Sequence, residues 1–108
     1  MSSRARPSDP ERRTFSFTGA VWVWEGPASW HFVSLPPEVA DEIEWRFGAR
    51  AAGFGSIRVG VCLGASRWET SIFPDRSRET YLLPLKKDVR CRNGVVEGST
   101  VAVELTVR

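Results

Sequence analysis

The sequence predicts a mainly β domain: a small six-stranded barrel with two short helices. Three observations carry this. Apolar and polar residues alternate with period two in six short segments, turn-forming clusters separate those segments, and the strand and long-helix alternation needed for a doubly wound sheet is absent. A chain of 108 residues buries roughly 65% of its unfolded surface, which supports one core. Six strands in so short a chain lose their exposed edges most readily by closing on themselves.

The first strand spans Thr14 to Trp24. Phe15, Phe17, Val21 and Val23 mark one face, Ser16 and Thr18 the other, until Trp22 and Trp24 make that second face aromatic as well. The strand therefore starts half-exposed and should end covered on both faces. Glu25 to Ser29 is rich in turn formers, and Trp30 to Leu35 follows as a hairpin partner. Pro36 and Pro37 stop that strand and open a helix, with Glu38, Asp41 and Glu42 in its first turns, where the helix dipole favours carboxylates. Val39, Ile43 and Phe47 form its apolar stripe, and it should end near Phe47 or Gly48.

After a flexible connection at Ala51 to Gly55, the third strand alternates Ile57, Val59, Val61 and Leu63 with Arg58, Gly60 and Cys62. Gly64-Ala65-Ser66 turns into the fourth strand, Arg67 to Phe73. Asp75 to Arg78 is a polar turn, and Thr80 to Leu83 is the fifth strand. Pro84 suits a first helical turn and Asn93-Gly94 a helix stop, predicting a helix of about two turns over Leu85 to Arg92. Gly98 opens the last strand, whose Val101, Val103, Leu105 and Val107 share one face.

Composition excludes several functions. The net charge is +2, and residues 1 to 13 carry four arginines against two acidic residues, so the remainder is formally neutral. Tight binding to phosphate backbones needs a concentrated positive surface, and nucleic acid is set aside on that ground. Residues 1 to 13 contain no apolar run, which argues for a solvated disordered tail ahead of a single domain at 14 to 108, and against a signal peptide or membrane segment. Cys62 and Cys91 lack metal-ligand spacing and His31 is the single histidine, so no metal or cofactor is expected. Two unpaired structural thiols fit a cytoplasmic protein.

The segments Trp30 to Pro36, Gly53 to Val59, Trp68 to Pro74 and Tyr81 to Arg90 stand in the order seen in the bacterial family catalogued as domain of unknown function 1905, which the chain resembles. Gly98 to Leu105 fits as well, so the resemblance covers nearly everything after the tail. It implies a partly open six-stranded barrel related in shape to the double-psi barrels, with no established activity. Two positions depart from the family pattern: Ser99, where an acidic residue is frequent, and Glu79-Thr80, where a glycine commonly precedes the tyrosine.

Candidate site residues come from two stretches. Trp68 and Thr70 share one strand face and offer an apolar plane beside a hydroxyl. Lys87 and Arg90, with Lys86, spread over the polar side of the second helix and could face an anion. Arg58 interrupts an apolar strand and needs solvent or a carboxylate such as Glu69 or Glu104. Together they suggest a small-molecule cleft with Trp68 and Thr70 as wall, Trp22, Trp24 and Trp30 as floor or rim, and Arg58, Lys87 and Arg90 facing an anionic group. Catalysis has little support: His31 lies between Trp30 and Phe32, and the carboxylate pairs Asp41/Glu44 and Glu38/Glu42 sit on an amphipathic helix, where solvation explains them. The alternative is an interaction module whose exposed Trp side chains pair identical copies.

Overall fold

The structure, a computed structural model, describes residues 13–26, 29–51 and 53–108. The expected tail at residues 1 to 12 and the middle of the first hairpin connection lie outside the described residues. Six strands, β1 (Thr14–Trp24), β2 (Trp30–Ser34), β3 (Ile57–Leu63), β4 (Ser66–Asp75), β5 (Thr80–Pro84) and β6 (Thr100–Val107), are joined by helices α1 (Pro37–Phe47) and α2 (Lys87–Asn93). Short 3-10 turns at Gly48–Arg50 and Gly53–Gly55 occupy much of the connection between α1 and β3. No helix among the described residues is long and apolar enough to cross a membrane.

The strands close in the order β1-β2-β5-β4-β3-β6, every neighbouring pair antiparallel where it hydrogen-bonds. The barrel is closed rather than partly open, because β1 and β4 are long enough to serve two sheets each. β1 pairs with β6 through Ala20 and with β2 from Val21 onward. β4 pairs with β3 through Ile72 and with β5 from Phe73 onward. Two four-stranded sheets thus share their outer strands. The first change of partner is held by Gly98 N–H to the Val21 carbonyl and Val21 N–H to the Ser99 carbonyl, both at 2.8 Å.

The inward face is apolar on every strand. Phe15, Phe17 and Val21 of β1, the odd-numbered valines and leucines of β3 and β6, Ile72 of β4 and Leu83 of β5 form one continuous core. Fully burying a side chain of this kind contributes about 1.5–3 kcal/mol, so the alternation seen in the sequence is also the main stabilising pattern. α1 adds Ala40, Ile43 and Phe47 to the same core and lies near the start of β5.

α2 begins later than expected. Pro84 remains in β5, opposite Phe32, and the Leu85 N–H donates to the His31 carbonyl at 2.9 Å. That bond prolongs the β2–β5 pairing and keeps Leu85 extended, so the first helical residue is Lys87. Asn93 ties the helix to the β3–β4 turn: its Oδ1 accepts from Ala65 N–H and its Nδ2 donates to Ser66 Oγ, each at 2.9 Å. β4 likewise runs on through Pro74 to Asp75. Pro74 has no N–H to donate, which is tolerated because the β3 ladder has already ended at Ile72.

Candidate functional site

Period two puts Trp22 and Trp24 on the outside of β1, and the hairpin register sets them opposite Phe32 and Trp30. Leu82 of β5 lies opposite Ser34, and Phe73 of β4 lies opposite Leu82. Aromatic and aliphatic side chains from four strands therefore share the outer face of the second sheet. Trp22, Trp24, Trp30, Phe32, Phe73 and Leu82 line an open groove of about 590 Å³ there. Trp22 and Phe32 approach to 5.3 Å between ring centroids, and Trp30 stacks on Phe32 at 6.1 Å with 19° between planes.

Two features orient these rings. The indole N–H of Trp22 donates to Ser34 Oγ at 2.9 Å, so its polar edge is satisfied within the sheet. The Arg78 guanidinium lies 4.3 Å from the centroid of a Trp22 ring and donates through NH1 to Asp75 Oδ2 at 2.6 Å. Asp75 also accepts from the hydroxyl and N–H of Ser77 and from the N–H of Arg78. The hydrogen bond from the Ser77 hydroxyl, aided by those from Arg78, holds the Asp75 carboxyl below its usual range. The β4–β5 turn is thus organised around one carboxylate, and it presents a cation to an aromatic wall.

Exposure shows which rings are available. Trp24 and Trp30 are 49% and 50% exposed and Phe73 is 42% exposed, in one contiguous region. Trp45, at 81% exposed, stands on α1 outside the groove.

Residues 17–105 match the family model described as Domain of unknown function (DUF1905). The chain belongs to this family. No curated protein matches the chain significantly. The matched segment begins within β1 and ends within β6, so it contains all six strands of the DUF1905 barrel in whole or in part.

The DUF1905 barrel distributes the eight sequence-derived site residues over several places. Trp22, Trp24 and Trp30 come together in the groove. Trp68 and Thr70 face the opposite side of the sheet, opposite Val61 and Val59 of β3, and Trp68 packs against the core. Arg58 is exposed, across from Ser71. The carboxylate of Glu69 is instead held by Arg108, whose hydrogen bonds, reinforced by weaker attraction to Arg58, lower its pKa. Lys87 is exposed on α2. Arg90 turns inward to the junction of α2 and β2, where its Nε donates to the Leu85 carbonyl at 3.2 Å and NH1 lies 3.4 Å from His31 Nε2.

His31 therefore takes part in anchoring α2, a role its aromatic neighbours in sequence did not suggest. Its Nδ1 and the indole nitrogen of Trp68 are buried and make no hydrogen bond among the described residues. The sequence places the groove cation, Arg78, in a polar turn and gives no sign of its contact with Trp22. Phe32, Phe73 and Leu82 were equally unassigned, although the outward parity of Phe32 with Trp30 was a usable signal.

Proposed function

We propose that the DUF1905 barrel binds a small planar ligand, largely apolar and carrying an acceptor group, on the outer face of its second sheet. One observation carries this reading: Trp22, Trp24 and Trp30 converge with Phe32 and Phe73 on a groove of about 590 Å³ beside Arg78. That volume falls within the range of small-molecule sites, and such sites combine apolar walls with a few placed polar groups. Stacked aromatic pairs contribute about 0.5–1.5 kcal/mol beyond the area they bury, which favours a flat ligand over a branched aliphatic one. Arg78 keeps N–H donors beyond the one used by Asp75, so an acidic or carbonyl substituent has a partner.

Titration with an indole or naphthalene carboxylate tests this, read by quenching of Trp fluorescence and by thermal shift. Trp30→Ala should weaken binding by about tenfold or more, equivalent to ~1.4 kcal/mol. Trp45→Phe should leave it unchanged. Equal affinity of the Trp30→Ala and wild-type proteins would rule the groove out.

The exposure of Trp24, Trp30 and Phe73 also favours a second reading, self-association through the same face. A ligand site quenches at any protein concentration. A self-associating face instead gives a mass by light scattering that rises with concentration and falls to that of one chain in Trp30→Ala.

A further inference from the structure

A second cavity, of about 560 Å³, lies between α1 and the β4–β5 hairpin, on the other side of the turn that carries Arg78. Its charge is of opposite character to that of a nucleotide or acid site. Asp41 and Glu44 enter from α1 and Glu79 from the turn, and none of the three forms an ion pair among the described residues. Arg76 is the single cation of the lining, and Asp75, the fourth carboxylate, is already held by Arg78. Of the Glu38, Asp41, Glu42 and Glu44 series of α1, only Glu42 is half-buried and the other three are exposed. Glu42 turns to Arg46 at 3.0 Å, while Asp41 and Glu44 face the cavity.

Tyr81 is an independent sign of a ligand. It is only 6% exposed and lines the same cavity, and its hydroxyl, which makes no hydrogen bond among the described residues, is open to that cavity rather than sealed in the core. Burial, reinforced by the Glu44 carboxylate, raises its pKa, so it stays a neutral phenol at physiological pH. A phenol under the influence of the Glu44 carboxylate offers a hydroxyl oxygen and a π face, both of which suit an ammonium group. Ala40, Ala51 and Pro74 supply apolar surface between the charged groups. No three carboxylates are close enough together to hold a metal ion among the described residues. Separated negative charges with apolar surface between them match an extended organic cation rather than a point charge.

We propose that this cavity binds a linear aliphatic polyamine, with its ammonium groups on Glu44, Asp41 and Glu79 and one of them against Tyr81. The cavity shares Asp75 with the aromatic groove, but none of the proposed ligand contacts, so the two readings stand or fall separately.

Isothermal titration of the full chain with spermidine at low ionic strength tests it. Magnesium chloride and 1,4-butanediol serve as comparison ligands of matching charge type and chain type. Spermidine should bind with a stoichiometry of one, and neither comparison ligand should. Glu44→Gln and Tyr81→Phe should each weaken spermidine binding by about tenfold or more, the size expected for losing a hydrogen bond to a charged group. Glu97→Gln, which removes the same charge outside the cavity, should have no effect. Glu44→Gln changes an exposed helix position, so it keeps the test valid even if Tyr81→Phe unfolds the barrel. Magnesium binding as tight as spermidine, or equal losses in Glu44→Gln and Glu97→Gln, would mean general counterion attraction and overturn the proposal. So would unchanged binding in Glu44→Gln.

Discussion

Glu79 adopts φ 56°, the one positive value outside glycine among the described residues. An L-residue in the left-handed region carries a steric penalty of about 1–2 kcal/mol, part of which a glycine would return as greater freedom of the unfolded chain. Glu79→Gly should therefore stabilise the protein by about 0.5–1 kcal/mol and raise the melting temperature by a few degrees, as read by differential scanning calorimetry. The family resemblance pointed to this position through the glycine expected before the tyrosine. Sequence alone could not say whether the turn would change shape or Glu79 would accept the strain. The backbone shows the second, and the side chain gains a place on the rim of the acidic cavity.

At the scale of elements, the β4–β5 turn joins both candidate sites, since Asp75 lines each of them. Its carboxyl is depressed below the ordinary value of 3.8 by the hydrogen bonds from Ser77 and Arg78. A depressed folded-state pKa means that the stabilisation is full above the unfolded value and is lost as pH falls through the lower folded value. As pH falls below the ordinary carboxyl value and then through the lowered folded one, the turn should loosen, Arg78 should leave Trp22, and the Trp emission should shift. Asp75→Asn should lack this acid-range step, and a step of the same size in that variant would assign it to another carboxylate. The polar turn itself was legible from Asp75 to Arg78. That Arg78 would fold back over Trp22 was not, because the contact joins residues 56 positions apart through the hairpin register. The start of α2 differs from the local expectation for a similar reason: Pro84 permits a helix start, but the Leu85 bond to His31 across the sheet prevails.

For the whole molecule, closure depends on the place where β1 leaves β6 and joins β2. Gly19 sits just before it, and a Cβ there would lie 2.8 Å from Val33 Cγ1. Val33 is fully buried and stiff at χ1, so it has nowhere to move. Gly19→Ala should cost about 1–3 kcal/mol by overpacking, measured by urea denaturation, with faster amide exchange in both β1 and β2. An unchanged denaturation midpoint would show that the crossing has slack.

The six strands, both helices and the apolar face of each strand were legible locally, because alternation along a strand reports burial without reference to any other strand. Trp22, Trp24 and Trp30 could be grouped on the same basis, through a hairpin of short connection. Alternation cannot tell which of two partly apolar faces will be the inside of a closed barrel. Trp68 was therefore assigned to the same cleft as Trp22, yet closure turns one toward the core and leaves the other on the outer groove. The partner changes in β1 and β4, the stacking of Arg78 on Trp22 and the cavity that Asp41, Glu44, Glu79 and Tyr81 line together all join segments far apart in the chain. Their positions follow from strand order and register, which only the closed sheet sets.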